Sequence, residues 1–185
     1  MICMRVITGS ARGRNLKTLD GLETRPTSQK TKEALFSVIQ FDIEGRRVLD
    51  LFAGSGQLGI EALSRGAESA VFVDSSKRAV SIIKENIALT GFGKSSSVFC
   101  REWKTYVASC REKFNIIFLD PPYSKGILKE ALPMASGLLC DGGILLCEHD
   151  VKDEMPPSLE GLCLFKKKNY GRIALSFYRK EFEKA

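Results

Sequence analysis

The sequence has few of the residues that metal sites and disulfide frameworks require. It contains one histidine, His149, and six cysteines, none of them in a C-x-x-C pair. Zinc sites and Cys/His nucleophiles need such clusters, so we predict no metal and a structural role for His149. Free cysteines pack as small apolar side chains, and disulfides are rare in reducing compartments. We therefore expect buried thiols in a cytoplasmic protein.

Long apolar runs are also missing. No run approaches the roughly 20 residues that a membrane-spanning helix needs, and the first residues lack the apolar stretch of a signal peptide. We see no internal repeat and no low-complexity linker. We therefore expect neither a membrane protein nor a secreted one. The 185 residues, 44% of them apolar and 27% charged, are sufficient for one globular core.

The net charge of +6 is unevenly distributed along the chain. Residues 1–32 and 163–185 each carry +5, whereas residues 33–162 carry −4. Two basic ends around a mildly acidic centre are expected if both ends approach a polyanion. A basic surface that is merely solvated is the alternative.

From residue 47 onward, apolar runs of strand length alternate with segments of helical period. This alternation is typical of βαβ units, so we predict an α/β fold with a mostly parallel sheet. We expect an N-terminal extension over residues 1–44 and the main domain over 45–185. The predicted strands cover 47–51, 70–73, 97–100, 115–119 and 144–148, and the predicted helices cover 57–64, 77–89, 103–110 and 127–139. Gly142 and Gly143 are expected to separate the last helix from the last strand.

The two ends of the chain depart from this alternation. Their β-rich segments predict antiparallel hairpins that pair 5–8 with 15–18 and 162–166 with 172–178. Between the first hairpin and the main domain, residues 28–40 predict an amphipathic helix capped by Thr27 or Ser28. Its predicted buried face consists of Ala34, Leu35, Val38 and Ile39.

A glycine-rich segment, Asp50 to Gly59, follows the first predicted strand and opens the next helix. This is the context of a nucleotide-cofactor loop, in which glycines let the backbone come close to a ligand. Twenty residues after Gly54, Asp74 ends the next strand, where its carboxylate can accept hydrogen bonds from ribose hydroxyls. We therefore predict a cofactor site that includes Phe52, Ala53, Gly54, Ser55, Gly56, Gly59 and Asp74.

Asp50 helps to choose between NAD and S-adenosylmethionine, which are both held by such loops. Its carboxylate stands four residues before the first glycine. It would repel the pyrophosphate of a dinucleotide but suits a ligand that carries an ammonium group, such as the methionine half of S-adenosylmethionine. This favours a methyltransferase over an NAD-dependent oxidoreductase. The alternative for Asp50 is a strand-end carboxylate satisfied by loop amides.

The segment Asp120-Pro121-Pro122-Tyr123 follows a predicted buried strand and therefore lies at the same sheet edge. Two consecutive prolines stiffen the loop and remove two N–H donors, so it offers only acceptors, the Asp120 carboxylate and the Pro121 carbonyl. Acceptors alone are what the amino group of a base requires. Tyr123 supplies a flat face on which a base can stack. We therefore predict methylation of an exocyclic amine.

These motifs, together with the segments Arg5 to Gly9, Arg12-Gly13-Arg14 and Arg25-Pro26-Thr27, resemble the RsmD family of 16S rRNA guanine-N2 methyltransferases over nearly the whole chain. The resemblance implies a Rossmann-like class I S-adenosylmethionine-dependent methyltransferase sheet with a small N-terminal extension. It implies that one guanine of 16S rRNA, conventionally numbered 966, is methylated in the small ribosomal subunit or its assembly intermediate. The Asp-Pro-Pro-Tyr motif itself is shared with adenine-N6 and cytosine-N4 methyltransferases.

Two positions depart from the pattern of many relatives. The loop after the third predicted strand of the main domain, where relatives show an acid or amide followed by a small residue near the adenine, reads Arg101-Glu102-Trp103. Glu102 can still accept from the adenine amino group, whereas Trp103 is bulky. Ser75 follows Asp74, where a larger apolar residue could have stacked on the adenine. We include Ser75, Glu102 and Trp103 among the cofactor candidates.

The hypothesis is direct in-line transfer to a flipped guanine that is stacked on Tyr123, with Asp120 and the Pro121 carbonyl holding N2. The candidates for RNA contacts lie in the extension and are Arg12, Arg14, Arg25 and Thr27. Lys166 to Lys168 are weaker candidates, since a solvated hairpin end explains them as well. We expect a monomer. The alternatives are an adenine-N6 or DNA amine methyltransferase and a non-catalytic RNA-binding protein that has kept the fold.

Overall fold

The computed structural model describes residues 4–19, 29–122, 126–159 and 161–182. Its strands are β1 (Met4–Arg5), β2 (Asn15–Leu16), β3 (Arg47–Asp50), β4 (Ser69–Asp74), β5 (Ser96–Cys100), β6 (Phe114–Leu119), β7 (Leu139–Asp150), β8 (Ser158–Leu159), β9 (Leu162–Tyr170) and β10 (Ile173–Lys180). Its α-helices are α1 (Gln29–Ile39), α2 (Gln57–Ser64), α3 (Lys77–Thr90), α4 (Trp103–Ser109) and α5 (Ile127–Ser136). A short 3-10 helix covers Gly93–Ser95.

Eight of these strands form one sheet in the order β5-β4-β3-β6-β7-β10-β9-β8, and β1 and β2 form a separate hairpin. Strands β3 to β7 run parallel to one another, whereas β10 is antiparallel to both β7 and β9. The carboxyl ends of the parallel strands therefore meet at one edge. In register, Asp50 at the end of β3 is opposite Phe72 of β4 and Phe118 of β6. The predicted α/β architecture, with its mostly parallel sheet and terminal antiparallel hairpin, is confirmed.

The sheet separates two hydrophobic cores because successive residues of a strand point to opposite faces. On β6, Ile116 and Phe118 face the core covered by α1, α2 and α3, whereas Ile117 and Leu119 face the core covered by α4 and α5. Phe36 of α1 packs edge-on against Phe118, with 5.8 Å between ring centroids. The first core also contains Met4, Val6 and Leu16 of the hairpin region. The predicted division into an extension, residues 1–44, and a main domain, residues 45–185, stays a prediction. Side chains of both segments pack in the same hydrophobic core.

Helix α3 shows how local sequence sets an element boundary. The Ser76 side chain accepts a hydrogen bond from the Ala79 amide at 3.3 Å and so caps the first turn. Gly91 ends the helix with a φ of 82°, a left-handed conformation that favours glycine. Between them, the buried side chains recur at helical spacing, including Ala79, Ile83 and Ile87. The predicted helix over 77–89 therefore differs from the observed one by one residue.

The N-terminal hairpin is held against α2 by close backbone contacts. Gly9 has a φ of 88°, and a Cβ added there would lie 1.7 Å from the Ser64 carbonyl oxygen. The Ser64 hydroxyl accepts from the Ala11 amide at 3.0 Å and donates to the Thr8 carbonyl at 2.6 Å. Only glycine permits this approach at position 9, so the tight fit of the hairpin depends on it.

The main correction to the predicted elements concerns α5 and β7. Helix α5 ends at Ser136 rather than Leu139, and β7 begins at Leu139, five residues before the predicted start. Gly142 and Gly143 do not separate the two elements but lie inside β7. Gly142 adopts a φ of 69°, and the pairing of β6 with β7 is irregular in this region. The glycines therefore bend a strand instead of ending one.

The predicted buried face of α1 was only partly right. Leu35 and Ile39 are fully buried, but Ala34 and Val38 are only half-buried. The helix instead buries Phe36 and Lys32. The sequence predicts a lysine to be exposed, and its burial depends on a carboxylate from α2. The predicted cap, Thr27 or Ser28, lies outside the described residues.

The cysteines are less buried than expected. Of the five within the described ranges, which are all free thiols, only Cys147 is buried, whereas Cys100 is exposed. His149 is buried, and its ring nitrogens lie 2.8 Å from the Asp150 carbonyl and the Ser176 hydroxyl, which is consistent with the predicted structural role. Burial lowers the pKa of His149. No group of three or more metal-ligating side chains is found among the described residues.

The lysine triplet lies on a strand that is free along one side. Strand β8 pairs with β9 only at Leu162 and Cys163, so the rest of β9 has β10 as its one partner in the described sheet. Lysines on an open strand discourage pairing with another chain. This supports the interpretation that Lys166 to Lys168 are solvated and do not form a binding patch.

None of the helices in the described part of the chain is long and apolar enough to cross a membrane.

Candidate cofactor and substrate site

The glycine loop between β3 and α2 is folded tightly against β4. The Ala53 amide donates to the Val73 carbonyl at 3.0 Å, and the Gly56 amide donates back to the Ala53 carbonyl at 2.6 Å. Gly54 and Gly56 both have positive φ, 55° and 78°. Gly59 is required for another reason, since a Cβ there would lie 2.3 Å from the Phe72 ring. The three predicted glycines thus let the backbone turn at the sheet edge while α2 packs onto β4.

Asp50 is a buried carboxylate that lacks one of its hydrogen bonds. It is 1% exposed, and its Oδ2 accepts from the Gly59 amide at 3.1 Å. Its Oδ1 has no hydrogen-bond partner among the described residues. Burial raises the pKa of Asp50 to about 7, opposed by the Gly59 hydrogen bond and assisted by the negative charge of Asp74. A buried acceptor without a donor is costly, and an ammonium group would supply that donor.

Asp74 links the end of β4 to the glycine loop. Its Oδ2 accepts from the Gly54 amide and its Oδ1 from the Ser76 amide, both at 2.9 Å. Each carboxylate oxygen keeps a further lone pair, which suits hydroxyl donors such as those of a ribose. The half-buried Asp74 therefore stands beside the loop, as the sequence predicts.

The candidates after β5 fall into two groups. Ser75 and Glu102 are exposed, and Glu102 makes no side-chain cap to α4. Trp103, which is half-buried, packs against Phe52 of the glycine loop with 5.8 Å between ring centroids, and the Lys104 ammonium lies 5.5 Å from its ring centre. Trp103, the bulky residue in the region predicted to lie near the adenine, is thus an aromatic neighbour of the glycine loop. It is also the chain's single tryptophan, so its fluorescence is a reporter of this region.

The Asp-Pro-Pro segment begins where β6 ends, next to the glycine loop. The Leu51 amide, directly after Asp50, donates to the Phe118 carbonyl at 3.2 Å and ties the ends of β3 and β6 together. Asp120 is half-buried, Pro121 is buried and Pro122 is exposed. Tyr123 lies outside the described residues, so its predicted stacking role stays a prediction.

The predicted RNA contacts lie partly within the described structure. Arg12 is exposed in the turn of the N-terminal hairpin. Arg14 is exposed as well, but its Nη1 donates to the Leu89 carbonyl at 2.6 Å, so part of its guanidinium already serves a structural contact. Arg25 and Thr27 lie outside the described residues.

Sequence reasoning assigned no role to three polar side chains in or near this region. Glu148, 2% exposed, follows the Leu119–Cys147 pair by one residue and so lies beside Asp120 at the strand ends. Glu61 of α2 and Asn86 of α3 are fully buried. For Asn86 the sequence offers a signal of burial, because a polar residue stands among apolar residues at helical spacing. That signal does not identify the hydrogen-bond partners of the side chain.

The fold places the protein in the class of S-adenosylmethionine-dependent methyltransferases. A structure titled "Putative methyltransferase yhhF", from Escherichia coli, superposes with a TM-score of 0.87 at 32% identity, covering 97% of this chain and 98% of that one. This confirms the predicted fold class. A structure of an RNA methyltransferase from Salinibacter ruber in complex with S-adenosyl-L-homocysteine shares the fold at 13% identity, with a TM-score of 0.67 over 86% of this chain and 96% of that one.

The family follows from the sequence comparisons. The family described as "Conserved hypothetical protein 95" matches residues 4–179, and the chain belongs to this family, the RsmD family predicted from the motifs. "Putative rRNA methyltransferase YlbH" of Bacillus subtilis is 42% identical over 182 residues, 96% of this chain and 99% of that protein. "Ribosomal RNA small subunit methyltransferase D" of Escherichia coli K12 is 32% identical over 180 residues, 96% of this chain and 90% of that protein.

Proposed function

We propose that this chain is an rRNA methyltransferase that transfers a methyl group from S-adenosylmethionine to the exocyclic N2 of a guanine in 16S rRNA. The substrate is the small ribosomal subunit or its assembly intermediate, and the enzyme acts in the cytoplasm as a monomer. Relatives that align over almost the whole chain are named as methyltransferases of rRNA, one of them of the small subunit. The choice of guanine N2, and of position 966, rests on the motif resemblance.

The observation that carries the proposal is the meeting of three carboxylates at adjacent strand ends. Asp50, Asp74 and Asp120 close β3, β4 and β6, which are neighbours in the sheet. Hydrogen bonds donated by backbone amides of the segment Asp50 to Gly59 connect these three strand ends. The unpartnered Oδ1 of Asp50 calls for a cationic donor, and the proline-stiffened segment offers acceptors to an amine. Cofactor and base can therefore meet at one edge.

The residues divide the work of the reaction. S-adenosylmethionine, when bound, supplies a methyl group on a positively charged sulfur. Asp50 holds the ammonium end, and Asp74 accepts from the ribose hydroxyls. The Asp120 carboxylate and the Pro121 carbonyl grip the amino group so that the N2 lone pair faces the methyl, and Asp120 takes the proton that N2 loses. Tyr123 stacks on the extruded base. No covalent enzyme intermediate is needed.

The test is to map the modified base. The protein is incubated with methyl-labelled cofactor and either undermethylated small-subunit particles or DNA. Label on N2 of one guanine of 16S rRNA is the expected result. Label on adenine N6, or in DNA, would replace the proposal with the alternative amine methyltransferase. Cofactor binding without transfer to any RNA would favour a non-catalytic RNA-binding protein.

Cofactor affinity is expected to rise with pH because Asp50 must be ionised to hold an ammonium. With a pKa of about 7, the carboxyl is mostly neutral at pH 6, and affinity for S-adenosylhomocysteine should increase by about tenfold between pH 6 and pH 8. Asp50→Asn should bind more weakly and without this pH dependence. Trp103 fluorescence or titration calorimetry measures both.

The matched ligand is methylthioadenosine, which has no ammonium. Its affinity should not follow the ionisation of Asp50.

In the unliganded protein the raised pKa of Asp50 means that the folded state holds a proton that the unfolded state releases. The contribution of Asp50 to stability is therefore present at low pH and is lost as the pH rises from about 4 to about 7. A cofactor affinity that is flat with pH would remove Asp50 from the ammonium site.

Charge reversal of Arg12 is expected to weaken RNA binding without changing cofactor affinity. Arg12 is exposed at the hairpin turn, and a phosphate contact made by one arginine contributes about one unit to the slope of log affinity against log salt. Arg12→Glu should reduce both the affinity and this slope, measured by filter binding at several salt concentrations. Arg111→Glu, at an exposed position after α4, is the control. Equal effects of the two changes would indicate only a general loss of positive charge.

A further inference from the structure

Asn86 of α3 contacts both the cofactor loop and the N-terminal hairpin region. It is 0% exposed. Its Oδ1 accepts from the Lys17 amide at 2.8 Å, and its Nδ2 donates to the Lys17 carbonyl at 2.9 Å. The same Nδ2 donates to the Ser55 carbonyl, also at 2.9 Å. One buried amide group therefore joins the backbone that follows β2 to the backbone between Gly54 and Gly56.

The two backbone segments belong to different halves of the proposed reaction. Lys17 follows the hairpin that displays Arg12 and Arg14 to RNA. Ser55 lies in the loop that faces the cofactor, between two glycines of positive φ. Glycines in such a loop leave its conformation dependent on external hydrogen bonds, and Asn86 supplies one from a rigid helix. A shift of the hairpin would therefore change the hydrogen bonding of the loop.

We propose that Asn86 is a positioning residue that couples RNA binding at the hairpin to cofactor binding at the glycine loop. The inference rests on the proposed function. Binding of RNA holds the hairpin, which fixes the Lys17 backbone, which in turn keeps Asn86 directed at Ser55. The loop is then held in the conformation that accepts the cofactor. By linkage, the cofactor must strengthen RNA binding by the same factor.

The coupling is measured as a ratio of RNA affinities. Fluorescently labelled, undermethylated small-subunit particles are titrated with the protein, with and without saturating S-adenosylhomocysteine, which permits no turnover. For the unmodified protein we expect the cofactor product to tighten RNA binding by about fivefold or more, a typical coupling between two sites. In Asn86→Ser, whose short side chain cannot span both partners, the ratio should fall to about one.

The control variant separates this link from general support of the hairpin. Lys17 also pairs with α3 through its side chain, since its ammonium lies 2.6 Å from the Glu85 carboxylate at the surface. Glu85→Gln removes the charge attraction between Lys17 and the same helix, but it leaves Ser55 untouched. Its coupling ratio should match that of the unmodified protein. Asn86→Ala, which lacks both the Oδ1 acceptor and the Nδ2 donor, is the second variant if the serine variant is unstable.

The ratio distinguishes coupling from stability. A merely structural Asn86 would lower the thermal midpoint and weaken both ligands while leaving the ratio unchanged, and that result would overturn the inference. A ratio of one in the unmodified protein would overturn it as well and leave the proposed function intact. Failure of the unmodified protein to bind the cofactor product or RNA would instead contradict the proposed function. A ratio lost in Asn86→Ser and kept in Glu85→Gln establishes the coupling.

Discussion

Asp120→Ala is expected to abolish methyl transfer while leaving cofactor affinity within about twofold of the unmodified protein. The carboxylate stands directly after β6, at the end next to the glycine loop, and begins the acceptor-only segment. Without this carboxylate the amino group of the base loses one of its two hydrogen-bond acceptors and the group that takes its proton. Loss of an acid–base group that also positions the substrate lowers turnover by about 10²- to 10⁴-fold. Single-turnover methylation of small-subunit particles measures the effect.

Two further measurements make this result specific. S-adenosylhomocysteine binding, followed by Trp103 fluorescence, should be nearly unchanged in Asp120→Ala. Asp141→Ala removes an exposed carboxylate near the start of β7, away from the carboxyl ends of the strands, and should keep full activity. If Asp120→Ala instead loses cofactor binding, Asp120 belongs to the cofactor site and the assignment of the amine holder is wrong.

The elements around the site could be predicted because their signals are local. Helix α2 was predicted over its observed length, and the glycine loop before it marks its start. The predicted ends of the strands β3, β4 and β6, at residues 51, 73 and 119, lie within one residue of the observed ends, Asp50, Asp74 and Leu119. The sequence thus placed Asp50, Asp74 and Asp120 at one sheet edge. In a parallel sheet the carboxyl ends of neighbouring strands must meet.

What the sequence did not show depends on contacts between distant segments. Lys32 and Glu61 are charged, and charged helical residues are normally expected in solvent. Asn86 is one of the buried residues of α3, but nothing local indicated that its partners would be Lys17 and Ser55. Strand β7 was predicted too short because glycine usually interrupts a strand, whereas here Gly142 is accommodated inside it. Such outcomes depend on tertiary packing, which outweighs local propensity.

Glu61 is the centre of a buried polar cluster that attaches the N-terminal segment to α2. Its two oxygens accept from the Ile7 and Thr8 amides at 2.8 and 3.0 Å. They also lie 3.4 Å from the Lys32 ammonium and 2.9 Å from Nε of Arg65. Glu61 and Lys32 are almost completely removed from water, with side-chain exposures of 0% and 1%. Burial lowers the pKa of Lys32, and the charge of Glu61 opposes that change.

Glu61→Gln is therefore expected to destabilise the fold by about 3–5 kcal/mol, the usual cost of leaving one member of a buried ion pair without its partner. The variant retains the shape of the side chain but loses its negative charge, so Lys32 stays buried as an uncompensated cation. Urea unfolding followed by Trp103 fluorescence measures the loss. Since desolvation then depresses the pKa of Lys32 further below its unfolded value, the unfolded state binds more protons. The variant should recover part of its stability as the pH rises toward the value of a free lysine.

A second substitution tests whether the uncompensated charge is the cause. Lys32→Met in the Glu61→Gln background removes the cation and keeps an apolar side chain of similar length, so the double variant should be more stable than Glu61→Gln alone. Glu85→Gln breaks the exposed pair with Lys17 and should hardly move the unfolding midpoint. If the double variant is no more stable than the single one, the uncompensated charge of Lys32 is not the cause of the lost stability, and the ion pair is not what holds the extension on α2.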